Sequence, residues 1–542
     1  MAVVLAGFVA LGLMEAWSDS PTFDEPVYVS AGLAEVLHHD VVLNEEHPPL
    51  PKVLAVLPVL AADPVVPGNG AWDANNERAY SARFVDAQIA AGRLREVTFL
   101  SRLVPLAEAA GTALAIGALA AELFGAAARP LAAVAWLASP FVLGIGHLDG
   151  TDIPFALAVT LASWALARWL RTGTTRALVL AGLAAGCAAA AEMSGLLVVL
   201  ASVLVIAARS WRAGGVRRAL CQASIASALA LAVIWVPYVV PDPAVVLHPA
   251  GLLPGPYAAG LRYLYANDGS PAPGYLSGIS YVGGRWWFWP VSLAVKYPAA
   301  LLALLVAGAV SWLRIDRGTR TRALLAVAWP AALLAAFTVT MPRDIGLRYL
   351  LPVIALWTAG AGALARGTVR ARPRVGLAAK AASAGLLAAA VASMIGSFPA
   401  SLAWTSPPFR PGYAVATNSD VDWGQGLYAL TAWSRSHHPW VSYFGPRGIS
   451  PAQIPGARQL PAAGPAAVSG WVAVSATNLT SGDATQLGWL RNYCPVGVLA
   501  GSTLLYHFAR PPAAGAAPAR PAQICRGPWS YPLSRRARSS RG

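Results

Sequence analysis

Residues 22–52, TFDEPVYVSAGLAEVLHHDVVLNEEHPPLPK, hold the densest set of groups in the chain that could do acid–base or phosphate chemistry. Asp24 and Glu25 are adjacent acids, an arrangement in which one carboxylate can orient the other or raise its pKa, as a general base requires. A second acidic pair, Glu45-Glu46, leads into His47. Pro48, Pro49 and Pro51 then fix a rigid turn before Lys52. That turn places a cation where a phosphate headgroup could meet it. His38, His39, Asp40, Glu45, Glu46 and His47 are also crowded enough for a zinc or manganese ion to be weighed. No paired ligand spacing stands out among them, so no metal ligand is assigned and a divalent ion stays the minor reading.

The elements that must position these groups are membrane helices. The chain of 542 residues is 56% hydrophobic and only 12% charged, with a mean hydropathy of +0.53. Soluble domains carry about 25% charged residues, so the composition excludes an ordinary soluble enzyme. Apolar runs predict about eleven membrane helices, at residues 2–17, 97–123, 130–146, 153–170, 176–192, 194–208, 219–240, 292–313, 322–341, 349–365 and 375–397. The first run lacks a basic leader and a small-x-small cleavage site, and reads as a retained helix. The net charge of +15 comes largely from arginines in short loops, which is a topology signal rather than a nucleic-acid footprint. Basic loops at 171–176, 209–218, 314–322 and 366–374 all follow even-numbered helices, predicting a cytoplasmic N-terminus. Loops 18–96 and 241–291 and everything after residue 397 are then extracytoplasmic. Arg285-Trp286-Trp287-Phe288-Trp289 reads as an interfacial aromatic belt.

After residue 397 the pattern changes to short apolar stretches at 440–444, 467–475 and 497–508 separated by Gly and Pro, with a helix expected over 422–434. This predicts a small α/β domain over 398–510, followed by an Ala-, Pro- and Arg-rich tail at 511–542 that reads as disordered. Cys187 and Cys221 read as packing residues, whereas Cys494 and Cys525 could pair in an oxidising compartment. Glu108 and Glu192 lie in apolar runs, where an ionisable group is by default a functional suspect. No partner for either is evident in the sequence.

The Asp24-Glu25 pair with Tyr28, followed by His47-Pro48-Pro49-Leu50 and Lys52, resembles glycosyltransferase family 39 of the GT-C superfamily. Gly150-Thr151-Asp152-Ile153-Pro154 and Gly346-Leu347-Arg348-Tyr349 fit the same pattern. The family holds the protein O-mannosyltransferases and the aminoarabinose transferases. The resemblance implies a polytopic α-helical enzyme that takes a sugar, mannose-like by family weight, from a polyprenyl-phosphate carrier. The acceptor would be a hydroxyl of a protein Ser/Thr, a glycan or a glycolipid on the extracytoplasmic side. Asp24 would be the base of an inverting transfer, with Glu25 and Asp152 as accompanying acids. Lys52, Arg348 and His47 would hold the carrier phosphate, and Tyr28, Glu46 and Tyr349 would touch sugar or acceptor. The chain departs from the relatives at Glu192-Met193-Ser194, where a Lys is expected, and its C-terminal part does not resemble the sugar-binding domain of the eukaryotic mannosyltransferases. A flippase for a lipid-linked sugar is the competing reading. It expects acids near the midplane, whereas here the polar motifs gather at one membrane face.

Overall fold

The computed structural model describes residues 1–68, 76–370, 373–461, 464–480 and 487–512. The expected apolar runs are helical over most of their length, several of them in broken pieces. Ala2–Ser18 forms the first helix. Among the described residues six helices are long and apolar enough to cross a membrane, or up to seven if the bent pair Ala128–Leu137 and Pro140–Gly146 is one span. Three shorter apolar helices, Ala2–Ser18, Thr175–Ala191 and Ala299–Arg314, coincide with other expected segments. The segments expected at 194–208 and 219–240 lie within one helix assignment, Leu196–Val239, whose dihedrals leave the helical region at Gly214 and Gly215. Two residues without a Cβ break the rod at the basic loop. Close helix packing relies on small residues. A Cβ at Gly186 would lie 2.7 Å from the Ala230 carbonyl oxygen, so Thr175–Ala191 meets Leu196–Val239 nearly backbone to backbone.

Loop residues separate onto two ends of this bundle. At one end Arg171 pairs with Glu122, and Arg366 meets Asp316 at 2.7 Å and the Leu123 carbonyl at 3.5 Å. These are the loops that follow even-numbered helices. At the other end lie Asp24, Asp152, Glu192 and Arg348.

Three short helices close that second end. Glu25–His38 begins with Glu25 and Pro26 in its first turn, where an acid faces the helix dipole and a missing N–H costs nothing. It stops at His39, whose φ of 58° is left-handed. Pro49–Val56 follows, with Pro48 extended before it. The two helices pack through Gly32, where a Cβ would lie 2.6 Å from the Lys52 carbonyl oxygen. Glu77–Ala90 packs against the first of them through Tyr80 and Phe84, both buried.

The C-terminal region forms a five-stranded mixed sheet. From edge to edge it runs Arg458–Gln459, Trp440–Ser442, Gly470–Ser475, Thr503–Phe508 and Gly497–Leu499. The first two neighbouring pairs are parallel and the last two antiparallel. The stretch expected as one strand over 497–508 is a hairpin, because Ala500 and Gly501 both take positive φ. The helix of this region is Leu427–His437, later than the expected 422–434. Residues 513–542, with Cys525, lie outside the described residues; Cys187 and Cys221 are free.

Candidate functional site

Arg348 is the centre of the polar end. It enters at the start of the span Leu347–Arg366 and its side chain is only 7% exposed. A guanidinium at that depth must be paired. Its Nη1 donates to Asp152 Oδ2 at 2.9 Å, and its Nη2 lies 3.5 Å from Asp24 Oδ2 and 3.3 Å from the Tyr349 hydroxyl. The Trp423 and Tyr349 rings lie 4.4 and 4.8 Å from its carbon. Asp24 has a second cation, Arg78, whose Nη1 is 3.5 Å from Oδ1 and which itself lies over the Phe23 ring. Two acids that are 128 residues apart in sequence, Asp24 and Asp152, are thus drawn together by one arginine.

Tyr28 and His47 form the adjoining wall. The Tyr28 hydroxyl lies 3.4 Å from His47 Nε2. A Cβ at Gly150 would touch both Tyr28 and Asp152, so this wall is continuous with the arginine cluster. His47 Nδ1 lies 3.4 Å from the Glu192 carboxylate, which gives Glu192 the partner that the sequence could not name. Burial pushes the His47 pKa down, but Glu192 and Glu46 outweigh it and raise it to about 9, with Lys52 opposing them. The imidazole is therefore a cation at neutral pH. The folded pKa exceeds the ordinary value of 6.5, so the stabilisation from the pair is complete below that value and is lost as pH rises through about 9. Replacing Glu192 with Gln removes the opposing charge and leaves burial dominant. The His47 titration, followed by NMR of ring-labelled histidine in nanodiscs, should then fall below the ordinary value. A titration still near 9 would remove Glu192 from its control.

Glu25 and Lys52 do not join this cluster. The Glu25 carboxylate turns into the core, where Arg102 grips it with two bonds, Nε–Oε1 at 2.8 Å and Nη2–Oε2 at 2.7 Å. The amides of Thr22 and Asp149 donate to the same carboxylate at 2.6 and 2.8 Å. Burial would raise the Glu25 pKa, yet Arg102 outweighs it and holds the carboxyl below its ordinary range. Arg102 also caps the carbonyls of Ala16, Asp19 and Ser20. Glu25 thus ties the first loop to the loop before Asp152, a structural position rather than one beside Asp24's open face.

The sequence expectation joined Lys52 and Arg348 in one phosphate site, and the structure separates them. Lys52 Nζ makes a buried pair with Glu35 at 2.7 Å and donates to the Asn44 carbonyl at 3.1 Å. Pro49, Lys52 and Val56 share one face of their helix, all buried, and that face packs on Glu25–His38. His47, at the turn itself, is the cation left beside Tyr28.

Glu46 lies against Glu77, and Asn44 Nδ2 donates to Glu77 Oε2 at 2.5 Å. Burial, then the Glu46 charge, raises the Glu77 pKa to about 7. His38, His39, Asp40 and Glu45 line a separate cavity of about 560 Å³ with Asp242 and His248. Among the described residues no three His, Cys, Asp or Glu side chains gather as a metal ion needs. Sequence reasoning missed Arg78, Arg102 and the placement of Trp423. For Arg102 a signal existed, since an arginine inside a long apolar run demands a buried anion.

A family model described as dolichyl-phosphate-mannose-protein mannosyltransferase matches residues 94–238. That segment contains Asp152 and Glu192 but neither Asp24, the His47 turn nor Arg348. The match and the motif resemblance therefore rest largely on different residues, and they agree. No curated protein matches the sequence. Among solved structures, ArnT from Cupriavidus metallidurans in the apo state is similar over 93% of this chain and 97% of its own, at 12% identity and a TM-score of 0.49. The oligosaccharyltransferase AglB from Archaeoglobus fulgidus, in complex with an inhibitory peptide and a dolichol-phosphate, is similar over 91% of this chain and 72% of its own, at 12% identity and a TM-score of 0.43. A protein O-mannosyltransferase complex of S. cerevisiae bound to the sugar donor covers 51% of this chain and 38% of its own, at 18% identity and a TM-score of 0.32.

Proposed function

We propose that the chain is a membrane glycosyltransferase that moves a sugar from a polyprenyl-phosphate carrier to a hydroxyl acceptor, with inversion and with Asp24 as the base. The observation that carries this reading is the sharing of one buried arginine by Asp24 and Asp152. Asp152 holds Arg348 closely, at 2.9 Å, whereas Asp24 meets it only at 3.5 Å. A phosphate oxygen arriving at Nη2 takes over the longer contact and leaves Asp24 Oδ2 free to accept a proton. The acceptor oxygen then forms its bond to the anomeric carbon as the bond to the phosphate oxygen breaks. The acceptor proton passes to Asp24 and the electron pair leaves on polyprenyl phosphate, whose growing charge Arg348 and protonated His47 offset. Asp152 keeps the guanidinium in place. Tyr349, beside Arg348, and Tyr28, beside His47, suit contacts to sugar or acceptor, and Glu46 is assigned to the same role. The family match supports a mannose-like sugar, and protein Ser/Thr, glycan and glycolipid are the acceptor classes to be tried.

The test is transfer of label from radiolabelled polyprenyl-phosphate mannose, and from other polyprenyl-phosphate sugars, by the purified chain in nanodiscs. No release of polyprenyl phosphate with any donor–acceptor pair would sink the reading. Arg348→Lys should keep the protein folded but raise the KM for the lipid donor about tenfold or more, because an ammonium cannot reproduce the planar fork that meets phosphate and carboxylate together. Unchanged donor kinetics would leave Arg348 a tether for the two acids.

The reading also requires the site to face away from the cytoplasm, as the basic loops at 209–218 and 366–374 imply. A reporter active only in the cytoplasm, fused after Tyr443, should stay silent. A strong signal there would put Asp24 on the wrong side of the membrane.

A further inference from the structure

Arg348 is bracketed by two rings, and one of them comes from far along the chain. Trp423 belongs to residues 418–427, which lie between the last membrane helix, ending at Ile395, and the start of the helix Leu427–His437 that precedes the C-terminal sheet. This stretch is bonded to both halves of the site. On one side, Phe23 N donates to the Trp423 carbonyl at 2.8 Å, Ser20 N to the Gln425 carbonyl at 3.1 Å and Ser20 Oγ to the Gly424 carbonyl at 2.8 Å. That is the backbone immediately before Asp24. On the other side, Leu347 N donates to Asp420 Oδ1 at 2.9 Å and Ser419 Oγ to the Ile345 carbonyl at 2.8 Å. That is the backbone immediately before Arg348. A Cβ at Gly346 would collide with Ser419 Oγ, so the approach is as close as backbone allows. Buried Lys296 adds a third tether, donating to the Asp420 carbonyl.

We propose that residues 418–427 are a clamp that sets the spacing of Asp24 and Arg348, and that Trp423 is a positioning residue fixing the plane of the Arg348 guanidinium. The inference rests on the carrier-phosphate reading of Arg348. A guanidinium has two useful edges only if its plane is fixed, and here one edge must reach Asp152 while the other must exchange its longer contact with Asp24 for phosphate. Trp423, 3% exposed, gives that plane a face beside a guanidinium whose side chain is 7% exposed, and such burial strengthens cation–π attraction. The Tyr349 ring lies 4.8 Å from the same carbon. The C-terminal region is thus part of the site and not an appendage to it.

The test uses the full chain in nanodiscs, with undecaprenyl phosphate as the probe and phenylglyoxal as a reagent for arginine, its adduct at Arg348 counted by mass spectrometry. Trp423→Leu keeps an apolar side chain but removes the ring face and part of the volume; Trp423→Phe, also smaller than the indole, restores a face. The Leu variant should react at Arg348 about tenfold faster than the parent and bind undecaprenyl phosphate about tenfold more weakly, and the Phe variant should recover most of both. The protease cleavage pattern of the C-terminal region should be unchanged in both variants, which separates loss of the ring from loss of the fold. Equal adduct rates in the Leu variant and the parent would overturn the clamp, whether or not undecaprenyl phosphate binds. Faster adduct formation in the Leu variant, with a parent that binds no undecaprenyl phosphate, would uphold the clamp and sink the carrier reading instead.

Discussion

Replacing Asp24 with Asn lowers turnover by about two to four orders of magnitude and leaves the protein folded, if Asp24 is the base. The asparagine keeps the shape and keeps one oxygen for a guanidinium, but cannot take the acceptor proton. Folding should tolerate the change because Asp24 is 17% exposed and its two cations stand at 3.5 Å, so no tight buried pair is broken. Asp152→Asn should act differently. It weakens the 2.9 Å anchor of Arg348 and should raise donor KM more than it lowers kcat. Single-turnover transfer from a labelled lipid donor, with melting of both variants alongside, distinguishes these outcomes. An Asp24→Asn enzyme within about threefold of the parent, beside a dead Asp152→Asn enzyme, would exchange the two assignments.

Glu25→Gln is expected to fail in a different way, by losing the fold. Arg102 is fully buried, with 0% side-chain exposure, and Glu25 is the anion that neutralises it. Removing one partner of such a pair costs about 3–5 kcal/mol, since the other charge stays buried and uncompensated. The midpoint of thermal unfolding and the monodisperse fraction in detergent should both drop sharply. Replacing both residues with leucine should recover part of the loss, because an apolar pair carries no stranded charge. In the parent, the folded pKa of Glu25 is depressed below the ordinary 4.5. The contribution of the pair is therefore complete above that value and is lost as pH falls through the depressed one. A Glu25→Gln protein that melts with the parent would show that the pair is not what joins these loops.

The sequence made the helices legible because an apolar run needs no tertiary information to declare itself. It made Asp24 legible because a dense polar stretch between apolar runs has few other uses. Pairing was harder to read. Asp24 and Glu25 are neighbours, yet one faces the cleft and the other the core. Helix geometry turns successive residues about 100° apart, and only the position of Arg102 decides which acid goes inward. Lys52 was misplaced for a similar reason. The prolines fix where its helix starts, but the closeness of Gly32 fixes which face turns inward, and that face carries Lys52 to Glu35. Glu192 looked like an orphan because its partner, His47, comes from a loop whose path over the membrane surface no local pattern encodes.

The bonds from Ser20 to Gly424 and from Leu427 to Ser20 span 404 and 407 residues, which has a consequence for the order of folding during synthesis. Translation runs at about 5–20 residues per second, so the loop before Asp24 waits about 20–80 s for its partner to be made. The Glu25–Arg102 pair spans only 77 residues and can form early, shielding a charge that would otherwise be stranded among the first helices. The Asp24–Arg348 pair comes 324 residues after its first member, and the Trp423 ring later still. If the proposed roles of Asp24 and Arg348 hold, the nascent chain therefore carries an incomplete site for a long interval. On that reading, the site is complete only once Trp423 has been made and docked.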